Sequence, residues 1–136
     1  MPSPHRMTTR VRYGEVDRGN RVHHSAYLVY FEMGRTELLR ERGLAYADME
    51  RQGRFVAVAE ADVRYRGAAG YDDELVIETQ VREVRGARVV FANRILRADD
   101  DVVVAEATIT GALIDASGRP IRFTPDETAR LLGGPA

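Results

Sequence analysis

The chain has 136 residues, 44% hydrophobic and 30% charged, with a formal net charge of −1. These values fit one globular domain over 1–136 and exclude a general attraction to nucleic acid, and no apolar run approaches the ~20 residues of a membrane span. Cysteine and lysine are absent, which removes disulfides, thiolate nucleophiles, zinc–thiolate sites and lysine Schiff bases. The N-terminal stretch MPSPHRMTTR has no apolar core for a signal peptide, so a cytoplasmic location is expected.

Alternation over RMTTRVRY (6–13) predicts a first strand. Residues 14–23 read as a loop, with Gly19 and Asn20 suited to a tight turn of positive φ. From Ser25 to about Arg42 the apolar spacing of Tyr27, Leu28, Phe31, Leu38 and Leu39 predicts a helix. Its first half is apolar nearly all round, which predicts burial on most sides. Gly34 inside it costs about 1 kcal/mol against alanine and implies close approach of another backbone. Gly43 is placed to end the helix. A short helical piece follows at 46–52.

After Gly53 the period changes to two. Strands are expected at 55–66, 74–84, 88–98 and 102–115, joined by turns at GAAGYDD, RGA and DDD. Three meander connections in a row predict an antiparallel sheet, and strands this long predict strong twist or curvature. Thr124 followed by Glu127 three residues on predicts a capping box for a last helix, PDETARLL. The class is α+β: a long buried helix wrapped by a curved antiparallel sheet. Its exposed edges imply at least a dimer.

Serine occurs only at 3, 25 and 117, none in a nucleophile elbow. Chemistry therefore rests on carboxylates, the three histidines, Tyr, Thr, Arg and backbone dipoles. The stretch EVDRGNRVHH (15–24) concentrates such groups just ahead of the helix. Asp17, His23 and His24 make a poor metal set, because adjacent residues in a helix or strand point in different directions and no third convergent ligand follows. Asp17 can cap local N–H groups as a turn residue. Alternatively, the loop delivers Asp17 to the N-terminus of the helix. There, unpaired N–H groups can polarise a carbonyl while the carboxylate attacks it or activates water. That pair suits hydrolysis of a thioester or ester without Ser or Cys.

The run VRYGEVDRGNRVHHSAYLVYFEMGRTELLRERGL resembles the 4-hydroxybenzoyl-CoA thioesterase branch of the hotdog superfamily. Tyr13, Glu15, Asp17, Val22, His24 and Tyr27 keep the spacing of its loop; Phe31, Glu32, Arg35 and Glu37 match its helix. The resemblance covers about residues 8–132. It implies a hotdog fold and hydrolysis of acyl-CoA or acyl-carrier thioesters, in a homodimer or homotetramer with sites at subunit interfaces. It places the catalytic carboxylate on Asp17 and the oxyanion-binding N–H on His24. It implies no cofactor and no metal, CoA being substrate and product.

Glu15 stands where the family usually has Asp, Asn20 at its glycine position, Arg21 at a small or apolar one, and Ala68 in place of a common proline. Asn20, Val22 and Tyr27 are candidates for substrate contact, with Tyr27 also fitting the core. Glu32 and Arg35 are spaced to form an ion pair. Two other activities fit the same loop: a hotdog hydratase or dehydratase using His24 as base, and a non-catalytic acyl-CoA-binding protein.

Overall fold

The computed structural model of the chain describes residues 3–133. Period-two segments pair into one antiparallel sheet of five strands: β1 (His5–Arg10), β2 (Phe55–Tyr65), β3 (Glu74–Arg85), β4 (Arg88–Arg97) and β5 (Val103–Ile114). Their spatial order is β1-β3-β4-β5-β2. Helix α1 (His24–Glu41) packs on one face, and the short helices α2 (Tyr46–Arg51) and α3 (Pro125–Leu131) join the core around its C-terminal half. The α+β layout expected from the sequence is the one that forms.

Alternation explains the two faces. Leu75 and Ile77 of β3, Ile95 of β4 and Ala105, Ala107 and Ile109 of β5 are buried with Tyr27, Tyr30 and Phe31 of α1. The residues between them point to the other face, where Glu78 is held at 2.8 Å by both Arg6 and Arg94. Further along α1, Leu38 and Leu39 pack with Val81, Phe91, Leu113 and Leu131. Register shifts at Val58/Glu60, Val81/Glu83 and Ile95/Leu96 mark bulges or irregular pairing. Bulges bend a strand and increase its twist, which lets a sheet of long strands curve around one helix.

Several local expectations need correction. The first strand ends at Arg10, because the Val11 N–H turns to the Asp73 carbonyl and residues Tyr13–Glu15 form a 3-10 turn. Helix α1 begins at His24, with His23 as N-cap. Only two connections are meanders: β2 pairs with β5 and β3 with β1, so 67–73 crosses from one side of the sheet to the other. A Cβ on Gly34 would overlap Thr79 Oγ1 and lie 2.8 Å from Ile77 Cγ2, so the close approach is to side chains of β3 and not to backbone. Leu28 and Val29 are exposed in the first half of α1, which is therefore not covered on all sides. Glu32 and Arg35 form no ion pair; Arg35 turns inward, buried, with its guanidinium 6.0 Å from the Phe91 ring centre.

Local signals that did not depend on partners held. Gly43 takes φ +77° after α1. Thr124 and Glu127 form a reciprocal capping box on α3, and Glu127 also binds Arg54, tying the helix to the chain just before β2. No helix of the described residues is long and apolar enough to cross a membrane.

Candidate active site

The loop from Glu15 to His23 is a small hairpin. Val16 and Val22 pair as an isolated antiparallel bridge. The His23 N–H donates to the Glu15 carbonyl at 2.8 Å, and the Asp17 N–H to the Arg21 carbonyl at 2.7 Å. Asn20 takes φ +57° at the tip, the conformation that a glycine would supply there. Its side-chain oxygen accepts from the Tyr71 N–H at 3.0 Å. The Val22 N–H donates to the Ala69 carbonyl, also within the 67–73 crossover. Arg97 holds that crossover in turn, donating to the Ala68 carbonyl at 2.7 Å. The departures at Asn20 and Ala68 thus leave an ordered loop on an ordered support.

Asp17 sits exposed at the head of this hairpin. One carboxylate oxygen, Oδ1, accepts from the Gly19 N–H at 2.9 Å and the Arg21 N–H at 3.2 Å. The other makes no hydrogen bond among the described residues. A turn-capping oxygen and an unbonded, exposed one therefore coexist on one carboxylate. Asp17 and Asn20 line an open depression with Tyr13, Val16, Arg18 and Tyr71, where the Tyr13 and Tyr71 rings meet edge to face at 5.6 Å.

His24 is the first residue of α1. The His23 ring accepts from the Ser25 N–H at 3.2 Å, which caps the second N–H of the helix. The His24 N–H has no partner among the described residues, as the start of a helix predicts. Its carbonyl accepts from the Tyr65 hydroxyl at 3.1 Å, so β2 braces the helix start. The histidine rings do not diverge as expected of neighbours in a helix: their centres lie 4.3 Å apart and 33° from parallel, because His23 is extended and only His24 is helical. Among the described residues, no three or more His, Cys, Asp or Glu side chains gather in a way that could hold a metal ion.

The structure thus brings Asp17 and Asn20 into one depression and places His24 at the base of the same hairpin, exposed but outside that depression. Val22, within the loop, and Tyr27, on α1, are buried in one core cluster and do not line the depression. Sequence reasoning missed the tyrosines that organise the region: Tyr30 against Glu15, Tyr65 against His24, and Tyr71 beside Tyr13. They come from α1, β2 and the crossover, so no local pattern could have joined them.

A second depression lies on the sheet face away from α1, lined by Asp62, Glu78, Arg94 and Glu106 among others. Its carboxylates are each held by an arginine: Glu78 by Arg6 and Arg94, Glu106 by Arg66, Asp62 by Arg64. Each is thereby paired with a cation, whereas Asp17 has no salt-bridge partner among the described residues.

Residues 11–132 match the family model described as the thioesterase-like superfamily. The chain belongs to this superfamily. It is 36% identical over 123 residues to the acyl-CoA thioesterase YbgC of Haemophilus influenzae, covering 88% of each chain. It is 30% identical over 120 residues to the acyl-CoA thioester hydrolase YbgC of Escherichia coli O6:H1, covering 88% of this chain and 86% of that one. The fold is also that of a 4-hydroxybenzoyl-CoA thioesterase mutant complexed with 4-hydroxybenzoyl-CoA, with a TM-score of 0.87 at 19% identity over 96% of this chain and 99% of that one. The hotdog architecture and the thioesterase-like family expected from EVDRGNRVHH and its helix are borne out, and with them an enzyme.

Proposed function

We propose that this chain hydrolyses an acyl thioester of CoA or of an acyl carrier to a carboxylic acid and a free thiol. The observation that carries the reading is the Asp17 carboxylate of a thioesterase-like chain. One oxygen is anchored by two loop N–H groups and the other is free beside an open depression. An anchored carboxylate is oriented, and its free oxygen can attack the thioester carbonyl or draw a proton from water. The uncapped His24 N–H, at the positive end of α1, is the donor proposed for the carbonyl oxygen as it gains charge. Asn20 contacts the substrate from the loop tip, whereas Val22 and Tyr27 act from the core by holding the loop and the helix start in place.

The proposal includes a second copy of the chain. Strand β2 is an edge strand of 11 residues, exposed over much of its length, with Val58 and Tyr65 open to solvent. Leu28 and Val29 of α1 are exposed as well. A long edge with apolar neighbours is a template for pairing with an identical edge. Such pairing would set the second copy beside the His24 end of the site, where Tyr65 of β2 meets the helix start. The working location is the cytoplasm.

The test is a thiol-release screen across short, long, aromatic and β-keto acyl thioesters, with wild type and Asp17→Asn in parallel. The variant should keep the wild-type circular dichroism and lose about 10²–10⁴-fold in turnover, the range for a positioned acid–base group. Near-full turnover by Asp17→Asn would remove Asp17 from the chemistry. Hydration of crotonyl-CoA without free thiol would replace hydrolysis by a hydratase reaction.

A further inference from the structure

Glu15 makes more contacts than its place ahead of Asp17 requires. Its carboxylate accepts from the Arg12 main-chain N–H at 2.8 Å and from the Arg12 guanidinium at 3.0 and 2.8 Å. It also accepts from the Tyr30 hydroxyl at 2.8 Å. Its main-chain carbonyl accepts from the N–H of His23, the N-cap of α1. Tyr30 is 1% exposed and locked edge to face against Tyr27 at 5.9 Å. It lies six residues after His24, about 9 Å along the helix axis at 1.5 Å per residue. One residue therefore joins the chain entering the loop, the N-cap of α1 and a fixed point in the helix core.

We infer that Glu15, held by Tyr30, is a positioning residue that sets where Asp17 stands relative to the His24 N–H. The inference rests on the thioester-hydrolase reading above. Asp17 follows Glu15 through Val16 alone. His24 follows His23, whose N–H is bound to Glu15. Both proposed reacting groups hang from the same anchor by one or two residues, so a shift of the anchor changes their spacing. Neither Glu15 nor Tyr30 lines the depression that Asp17 borders. The chain's departure from Asp to Glu at this position has a physical role: the longer side chain spans the gap to a hydroxyl inside α1.

The test uses Tyr30→Phe, Glu15→Ala and Glu15→Gln, assayed on a thioester that wild type turns over, below the melting temperature of every variant. Tyr30→Phe removes one hydroxyl and keeps the buried ring. It should lower kcat about tenfold with KM within about twofold, since displacement of a reacting group by about 1 Å can cost about 10²-fold. Glu15→Ala should lose more, and Glu15→Gln should recover part of that loss because its amide oxygen can still accept from Tyr30. Amide hydrogen exchange at His23 should accelerate in Tyr30→Phe and in Glu15→Ala.

Unchanged kcat in Tyr30→Phe, or a loss confined to KM, overturns the inference. So does unchanged exchange at His23, even if no thioester proves to be a substrate. The hydrolase reading fails by a different result, turnover in Asp17→Asn or none in wild type, so the two failures are distinguishable.

Discussion

Replacing Gly34 with alanine should destabilise the fold, although alanine is the better helix former. The exchange gains about 1 kcal/mol in helix propensity. Against it, the new Cβ would overlap Thr79 Oγ1 and sit 2.8 Å from Ile77 Cγ2. Both neighbours are β-branched and buried in the middle of β3, so neither rotates away cheaply. Overpacking of this kind costs about 1–3 kcal/mol, here toward the upper end. The net loss should be about 1–2 kcal/mol, or roughly 3–8 °C in Tm for a chain of this size. Urea denaturation followed by circular dichroism at one protein concentration measures it. A second variant isolates the cause: Thr79→Ala in the Gly34→Ala background removes one of the two obstacles and should restore part of the loss, a coupling of about 1 kcal/mol. A Gly34→Ala protein as stable as wild type would refute the account of α1 seated by a missing side chain.

Other expectations follow from the loop and the sheet edge. Burial pushes the Glu15 carboxyl up, but the bonds from the Arg12 main chain, the Arg12 guanidinium and the Tyr30 hydroxyl outweigh it and hold the group below its ordinary range. A depressed carboxylate stabilises the fold above its unfolded pKa, and that contribution is lost as pH falls through the folded value. Glu15→Gln should therefore lose less stability than wild type as pH falls below about 5, near the unfolded glutamate value, and parallel acid titrations of the two proteins would exclude the linkage. Asn20→Gly keeps the left-handed turn but loses the bond from the Tyr71 N–H, and should cost about 0.5–1.5 kcal/mol; Asn20→Ala should cost about 1–2 kcal/mol more, because alanine resists that conformation, and equal stability of the two would contradict that role. Light scattering should give wild type a dimeric or larger mass, and Val58→Asp on the β2 edge should reduce it; a monomeric wild type would remove the second copy from the proposal.

What could be read from the sequence was what depends on near neighbours. The capping box at Thr124 and Glu127 is complete within four residues, and it formed as written. The alternation of β3, β4 and β5 gave their extents to within a residue or two. Pairing was harder to read. GAAGYDD marks where the chain leaves β2, but nothing local says that β2 will lie beside β5 and β3 beside β1. The spacing of Glu32 and Arg35 permits an ion pair, yet Arg35 turns into the core against Phe91, a residue on β4. Gly34 showed the kind of constraint without its partner. At the proposed site, the exposed turn holding Asp17 and the helix start after it were legible, because loop residues crowd beside an apolar run. Tyr30 was not, since its hydroxyl is invisible in a pattern that registers only its ring.

The 67–73 crossover carries a consequence for the order of assembly. The Val22 N–H and the Asn20 side chain are both satisfied by this segment, and the segment spans strands that belong to different parts of the sheet. The hairpin bearing Asp17 has hydrogen bonds of its own, but its seat on the rest of the fold comes from contacts distant in sequence. During folding it should set late, after β2 has found β5 and β3 has found β1, because contacts of large sequence separation carry the loop-closure cost. Partial unfolding should act in the same sense: fraying at the β2 edge slackens the crossover and disperses the loop while the β3–β4–β5 meander persists. Loss of activity should then precede loss of bulk secondary structure on heating, so an enzyme assay would report the first breach of the sheet.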